Sequence, residues 1–171
     1  GINTNAYLTG IYATTSSGID FYGIYNRASG STDQYTVGAR WASTMGAMPV
    51  RLEGSFQTGE RGGSDVSAFM FGGRLGLPLG KAKLTLWYDY LSGDDNATDG
   101  KTKVFDTLFA TNHKFYGFAD LFLNIPAHTK GLGLQDVAIK FAVPLNNGVK
   151  LGIDGHAFFL SKQGTASGKH L

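Results

Sequence analysis

The sequence predicts an all-β fold: an antiparallel, up-and-down transmembrane β-barrel, of which residues 1–171 supply a partial wall of about eight membrane strands. Three observations point there. Apolar and polar side chains alternate with period two along most of the chain. The alternating segments run to about ten residues, the length a tilted strand needs to cross a bilayer and longer than the five or six usual in soluble sheets. The connections between them alternate short and long.

Successive side chains on a strand point to opposite faces, so each segment can be divided. Residues 6–14 and 19–28 read as strands with mixed faces. In 35–44, Tyr35, Val37, Ala39 and Trp41 oppose Thr36, Gly38 and Arg40. In 50–59, Val50, Leu52, Gly54 and Phe56 oppose Arg51, Glu53, Ser55 and Gln57. Residues 67–77 set Phe69, Phe71, Leu75 and Leu77 against Ala68, Met70 and Arg74. In 83–91, Leu84, Leu86, Tyr88 and Tyr90 oppose Lys83, Thr85 and Asp89. Residues 135–143 place Val137, Ile139, Phe141 and Val143 opposite Asp136, Ala138 and Lys140. In 149–159, Val149, Leu151, Ile153 and Phe159 oppose Lys150, Asp154 and His156.

Residues 14–18, 44–48, 78–80 and 144–148 read as short periplasmic turns, rich in Gly, Pro and Asn. Residues 29–33, 59–65 and 92–133 read as outer loops. Both Pro-Leu turns lie on one side only if an even number of crossings separates them. The strand-like stretch 115–123 is then not a crossing, but a hairpin arm or constriction element inside the long loop 92–133. A loop of that length is usually functional. By this count the chain starts and stops on the outside, 163–168 being a further outer loop, so strands are expected to be missing at both ends; an open sheet edge is unsatisfied in lipid.

Composition narrows the functional classes. Fifteen basic residues against 13 acidic ones leave no basic excess of the kind that marks a nucleic-acid binder. Cysteine is absent, which removes disulfides and thiolate metal sites. The 25 glycines, 4 prolines and 13% aromatics suit closely paired strands with aromatic girdles, and the 42% apolar fraction argues against disorder. No apolar run reaches the roughly 18 residues of a membrane-spanning helix. No Gly-x-Ser-x-Gly elbow, phosphate loop or His-Glu-x-x-His motif is present, so no enzyme and no cofactor is expected.

Residues 87–122 read WYDYLSGDDNATDGKTKVFDTLFATNHKFYGFADLF. An aromatic strand ends in Ser92, Gly93, Asp94 and Asp95; Phe105, Asp106, Leu108 and Phe109 follow, then His113, Tyr116 with Gly117, and Asp120. This block resembles the alginate-export family of outer-membrane barrel proteins. The resemblance extends weakly through Asn124, the strand end at 140–144, and His156, Phe158 and Leu160. It implies a large barrel in the bacterial outer membrane that passes an anionic polysaccharide or another solute, and a chain that is the C-terminal portion of its protein without the last strands.

The candidate functional residues fall into three groups. Arg40, Arg51, Glu53, Arg74, Lys83, Asp89, Lys140, Lys150 and Asp154, with Asp136, are assigned to the lumen face and the solute path, because charged rings set pore selectivity and arginine grips carboxylates with two bonds. Opposite charges that pair across strands would explain the same residues structurally. Phe105, Asp106, Phe109, His113, Tyr116, Gly117 and Asp120 are assigned to the loop or gate, where Phe115, Tyr116, Phe118 and Phe122 either stack sugars or pack the loop onto the barrel mouth. Asp94, Asp95 and Asp99 form a weak calcium candidate without EF-hand spacing. His113 and His156 lack metal-ligand spacing and read as structural. Tyr22, Tyr25, Tyr88 and Tyr90 read as an interfacial girdle. The expected partners are outer-membrane lipid and an anionic or polar solute, polysaccharide-like; the rival is a small structural or adhesion barrel with a packed interior.

Overall fold

A computed structural model describes residues 6–28, 31–96 and 98–163. Eight long strands form one antiparallel sheet: β1 (Tyr7–Thr14), β2 (Ile19–Ala28), β3 (Thr32–Met45), β4 (Met48–Arg61), β5 (Ser64–Leu79), β6 (Ala82–Leu91), β8 (Leu134–Pro144) and β9 (Lys150–Leu160). Every strand pairs with its sequence neighbour, and a two-residue strand, β7 (Lys101–Thr102), lies parallel to the start of β5. Among the described residues the sheet does not close: β1 and β9 each keep one free edge.

The strands form where alternation predicts them, and several run further. β4 and β5 continue up to a two-residue hairpin turn at Gly62 and Gly63, both at positive φ, the backbone a primed turn requires. The expected outer loop at 59–65 therefore shrinks to that turn, because Glu60 pairs with Asp65 and Arg61 with Ser64. β3 likewise begins at Thr32, taking in the end of the expected 29–33 loop; Ser29 and Gly30 lie outside the described residues, as do Ala97 of the acidic loop and 164–168 of the expected last outer loop. Apart from 92–133, the connections at both ends of the sheet are short.

The two faces differ. One carries exposed apolar side chains from every long strand, among them Ile11, Phe21, Val37, Leu52, Phe71, Leu86, Ile139 and Ile153. So broad an apolar surface calls for an apolar medium. Towards the loop end of this face sits an aromatic band: Tyr25 packs on Tyr35, and Phe69, Phe71, Tyr88 and Tyr90 stack on one another. Tyr22 is not part of it. Its parity turns it to the other face, where its hydroxyl donates to Glu53 Oε1 at 3.2 Å.

The packed core lies between the inner face and the long segment 92–133. Val66, Ala68, Leu91 and Leu134 of the wall bury against Phe105, Tyr116, Phe122 and Ile125 of the segment. The segment holds two single-turn helices, α1 (Asn112–Phe115) and α2 (Ile125–His128). Residues 115–123 contain no strand, so the expected hairpin arm is absent; α1 and a succession of turns take its place. The parity behind that expectation still holds, since the segment never crosses with the wall strands. Its base is narrow: Leu91 pairs with Leu134, and the Asp94 N–H donates to the Gly131 carbonyl at 2.8 Å. A Cβ at Gly93 would overlap the Leu132 carbonyl, so only glycine lets the two ends of the segment pass this closely.

Candidate functional site: the inner wall and the segment folded onto it

Strand register gathers the inner-face charges into two adjacent rows across the wall. In the first, Asp20 pairs in register with Arg40, Arg40 with Glu53, Glu53 with Gly72, Gly72 with Asp89 and Asp89 with Asp136. The second runs Arg51, Arg74, Trp87, Ala138, His156. Arg51 thus stands opposite Arg74, and Asp89 opposite Asp136. Like charges opposite one another repel, and bonds between and along the rows offset this. Arg40 binds Asp20, and its guanidinium also donates to the Tyr12 hydroxyl at 2.9 Å. Arg51 binds Glu53. Arg74 lies 3.7 Å from Asp89, whose carboxylate also accepts from the Trp87 indole N–H at 2.8 Å. The Asp136 carboxylate is 2.9 Å from His156 Nδ1.

Trp87 is the apolar partner of this girdle. The Arg74 guanidinium centres 3.4 Å from its ring and 5.5 Å from the Phe115 ring of α1, which itself packs on the indole, and Lys140 Nζ lies 4.4 Å from the same indole. Such contacts suit a cation partly removed from water. Lys140 also meets Asp154 at 3.4 Å. Lys83 and Lys150 stand apart from the rows, exposed near the turn end.

The segment 92–133 docks through bonds that composition does not advertise. Gln57 is fully buried and acts as a substitute peptide group: its Nε2 donates to the Asp106 carbonyl at 2.7 Å and its Oε1 accepts from the Asp106 N–H at 2.9 Å. Arg61 donates to the Val104 carbonyl at 2.6 Å and sits 3.4 Å from the Asp106 carboxylate. Ser92 accepts from the Phe69 N–H and donates to the Lys103 carbonyl. Phe122 packs on Phe158, and Gly117 runs over the buried His156 ring. Burial, reinforced by the carboxylates of Asp89 and Asp136, holds the Tyr116 phenol well above its ordinary pKa, so it stays neutral at physiological pH.

Of the loop residues singled out in the sequence, Phe105 and Tyr116 are buried in the core, Asp106 is the docking point, and Phe109 is exposed. His113 pairs with Asp120, and its ring meets Phe118 edge-on. The three acidic residues weighed for calcium are held apart. The Asp94 carboxylate accepts from the Asn96 and Lys103 N–H groups, Asp95 meets Lys162 at 3.5 Å, and Asp99 meets Lys103 at 3.9 Å. No group of three His, Asp or Glu side chains placed to hold a metal occurs among the described residues. The sequence reading missed Gln57, Arg61, Trp87, Ser92 and Asn112 as docking or lining residues. Their inward parity was available for Gln57 and Trp87; what they meet depends on a fold of the segment that has no periodicity.

Replacing Gln57 with Leu fills the site but leaves the Asp106 N–H and carbonyl without partners, at about 1–3 kcal/mol per group. The expected result is faster amide exchange over 103–110 with strand amides still protected. Unchanged exchange there would show that Gln57 does not hold the segment.

No curated protein and no solved structure matches the chain. Among the described residues no helix is long and apolar enough to cross a membrane. The strands β1 to β6, the whole of the long segment 92–133 and the start of β8 fall within residues 2–137, which match the model of the alginate export family, and the chain belongs to that family.

Proposed function

We propose that this wall lines a passive channel of the bacterial outer membrane for a polar, polysaccharide-like solute, anionic or uncharged, and that residues 92–133 narrow its lumen. Family membership supports export or porin-type function in general. The observation that carries the finer reading is the two-sidedness of the sheet: an apolar outer face suited to lipid, and an inner face bearing two charged rows with the long segment folded onto it. The barrel supplies the hole, the rows set the field within it, and the docked segment fixes the free width. Transport needs no bound cofactor or chemical step in this scheme.

The test is single-channel recording of the full-length protein, with its barrel closed, in planar bilayers. Stable conductance steps are expected. Their complete absence would overturn the channel reading in favour of a structural barrel with a packed interior, a reading that the buried core beneath the segment favours.

A further inference from the structure

The acidic stretch 94–100, which opens the long segment, contains the tripeptide Asn96-Ala97-Thr98. It is the one Asn-x-Ser/Thr tripeptide in the 171 residues, and its middle residue is not proline. That is the pattern of an N-glycan acceptor in a surface loop of an exported protein. The structural context fits. Asp95, Asn96, Thr98, Asp99 and Gly100 are all exposed. The Gly100 carbonyl accepts from the Asp65 N–H at 3.0 Å, so the stretch lies beside the β4–β5 turn at Gly62 and Gly63, at the loop end of the sheet. A Cβ built on Gly100 meets no atom within 4 Å, so the space around it is open. The acceptor amide has one defined orientation. Thr98 donates both its N–H, at 3.2 Å, and its hydroxyl, at 2.8 Å, to Asn96 Oδ1. An N–H can only donate, so the receiving atom is the oxygen. Among the described residues Asn96 Nδ2 is left without a partner.

We propose that Asn96 carries an N-linked glycan, transferred in the periplasm from a polyprenyl-diphosphate sugar donor. The inference rests on the outer-membrane placement above, because only an exported chain meets such a donor; it does not depend on conduction. In the transfer, Asn96 Nδ2 attacks the anomeric carbon of the donor sugar. The C–N bond forms as the C–O bond to diphosphate breaks, the electron pair of that bond leaves with the polyprenyl diphosphate, and one Nδ2 proton passes to a base of the transferase. An amide nitrogen is a poor nucleophile, since resonance shares its lone pair with the carbonyl. It must be presented free of competing bonds, and the two Thr98 bonds do this by engaging the oxygen and leaving the nitrogen. Asp94 adds a second recognition group. Alternate residues of an extended chain share a face, so a transferase reading 94–98 in that form meets the Asp94 carboxylate, the Asn96 amide and the Thr98 hydroxyl side by side. An enzyme arginine or lysine can grip the carboxylate through a charge-assisted bond. The folded protein also accommodates the product: with Nδ2 unpartnered, its substitution breaks no bond that holds the segment.

The experiment takes the full-length protein from the outer membrane of the bacterium that makes it. Trypsin cuts after Lys83 and Lys101 and releases residues 84–101, which hold no other asparagine. Mass spectrometry of this peptide is expected to show the added mass of a glycan, sugar fragment ions, and the addition located on Asn96. Asn96→Gln and Thr98→Ala should each abolish the addition while leaving the circular dichroism of the wall unchanged, since both positions are exposed. Asp94→Glu should keep it and Asp94→Ala should lose most of it. An unmodified peptide 84–101 from the native source would overturn the proposal. So would an addition that survives Asn96→Gln and sits on the Thr98 hydroxyl, which is O-linked. Full occupancy in Asp94→Ala would remove the carboxylate from the recognition and leave the acceptor assigned. The channel is read separately: glycosylated protein without conductance would overturn the channel and keep the glycan, and unmodified protein with stable conductance would do the reverse.

Discussion

Excision of residues 95–130, with a Gly-Gly link across the gap, is expected to leave a folded wall and to raise unit conductance severalfold. The ladder does not need the segment: Leu91 pairs directly with Leu134, and Asp94 already bonds to Gly131 across the base. What is lost is the apolar core, since Phe105, Tyr116, Phe122 and Ile125 leave and Val66, Ala68 and Leu134 become wet. The variant should therefore unfold at lower denaturant than the parent while keeping its strand content. Planar-bilayer recording beside denaturant titration in vesicles checks both parts. An unchanged conductance would mean that the segment does not set the width of the path.

Asp89→Ala is expected to be the most damaging single substitution in the inner wall. The Asp89 side chain is 3% exposed and Arg74 17%. Arg74 already faces Arg51 across the β4–β5 pair, so loss of Asp89 leaves a buried cation beside a second one, and the Trp87 indole N–H loses its acceptor. Breaking a buried pair from one side costs about 3–5 kcal/mol, while replacing both partners with apolar groups is often nearly neutral. The double variant Arg74→Met, Asp89→Leu should accordingly recover most of the loss. If the single variant unfolds with the parent, the two rows do not hold the wall together as charge pairs.

These expectations show what the sequence could and could not carry. Period-two alternation placed all eight long strands and the inward turn of Arg40, Arg51, Arg74, Asp89, Lys140 and Asp154, because a strand's faces follow from parity alone. Parity did not say where a strand stops. Glu60, Arg61, Ser64 and Asp65 look like loop residues, yet Gly62 and Gly63 let the ladder run up to them. Tyr22 was misjudged on the chemistry of its ring, which fits a lipid interface or a wet lumen equally well; it lies three residues from Tyr25 on one strand, so parity turns it to the opposite face, where Glu53 accepts from its hydroxyl. The segment 92–133 was legible as one long excursion and as a family block, but not as a fold. Its position depends on single bonds, Gln57 to Asp106 or Arg61 to Val104, that connect residues far apart in sequence.

The nearest-neighbour order of the sheet bears on how the wall assembles. Each pairing except one closes over a handful of residues, so hairpins can form locally and add to one another, the condition for fast folding. The exception is the seam between β6 and β8, which must close over the whole of 92–133. Loop-closure entropy rises by about 0.6 kcal/mol per doubling of length, so this seam carries an extra penalty of roughly 2–3 kcal/mol over a two-residue hairpin. The cluster of Phe105, Tyr116, Phe122 and Ile125 against Leu91 and Leu134 sits at that seam. Its burial offsets the penalty only once both strands are in place, which makes the seam the last part of the wall to zip and the first from which it should open.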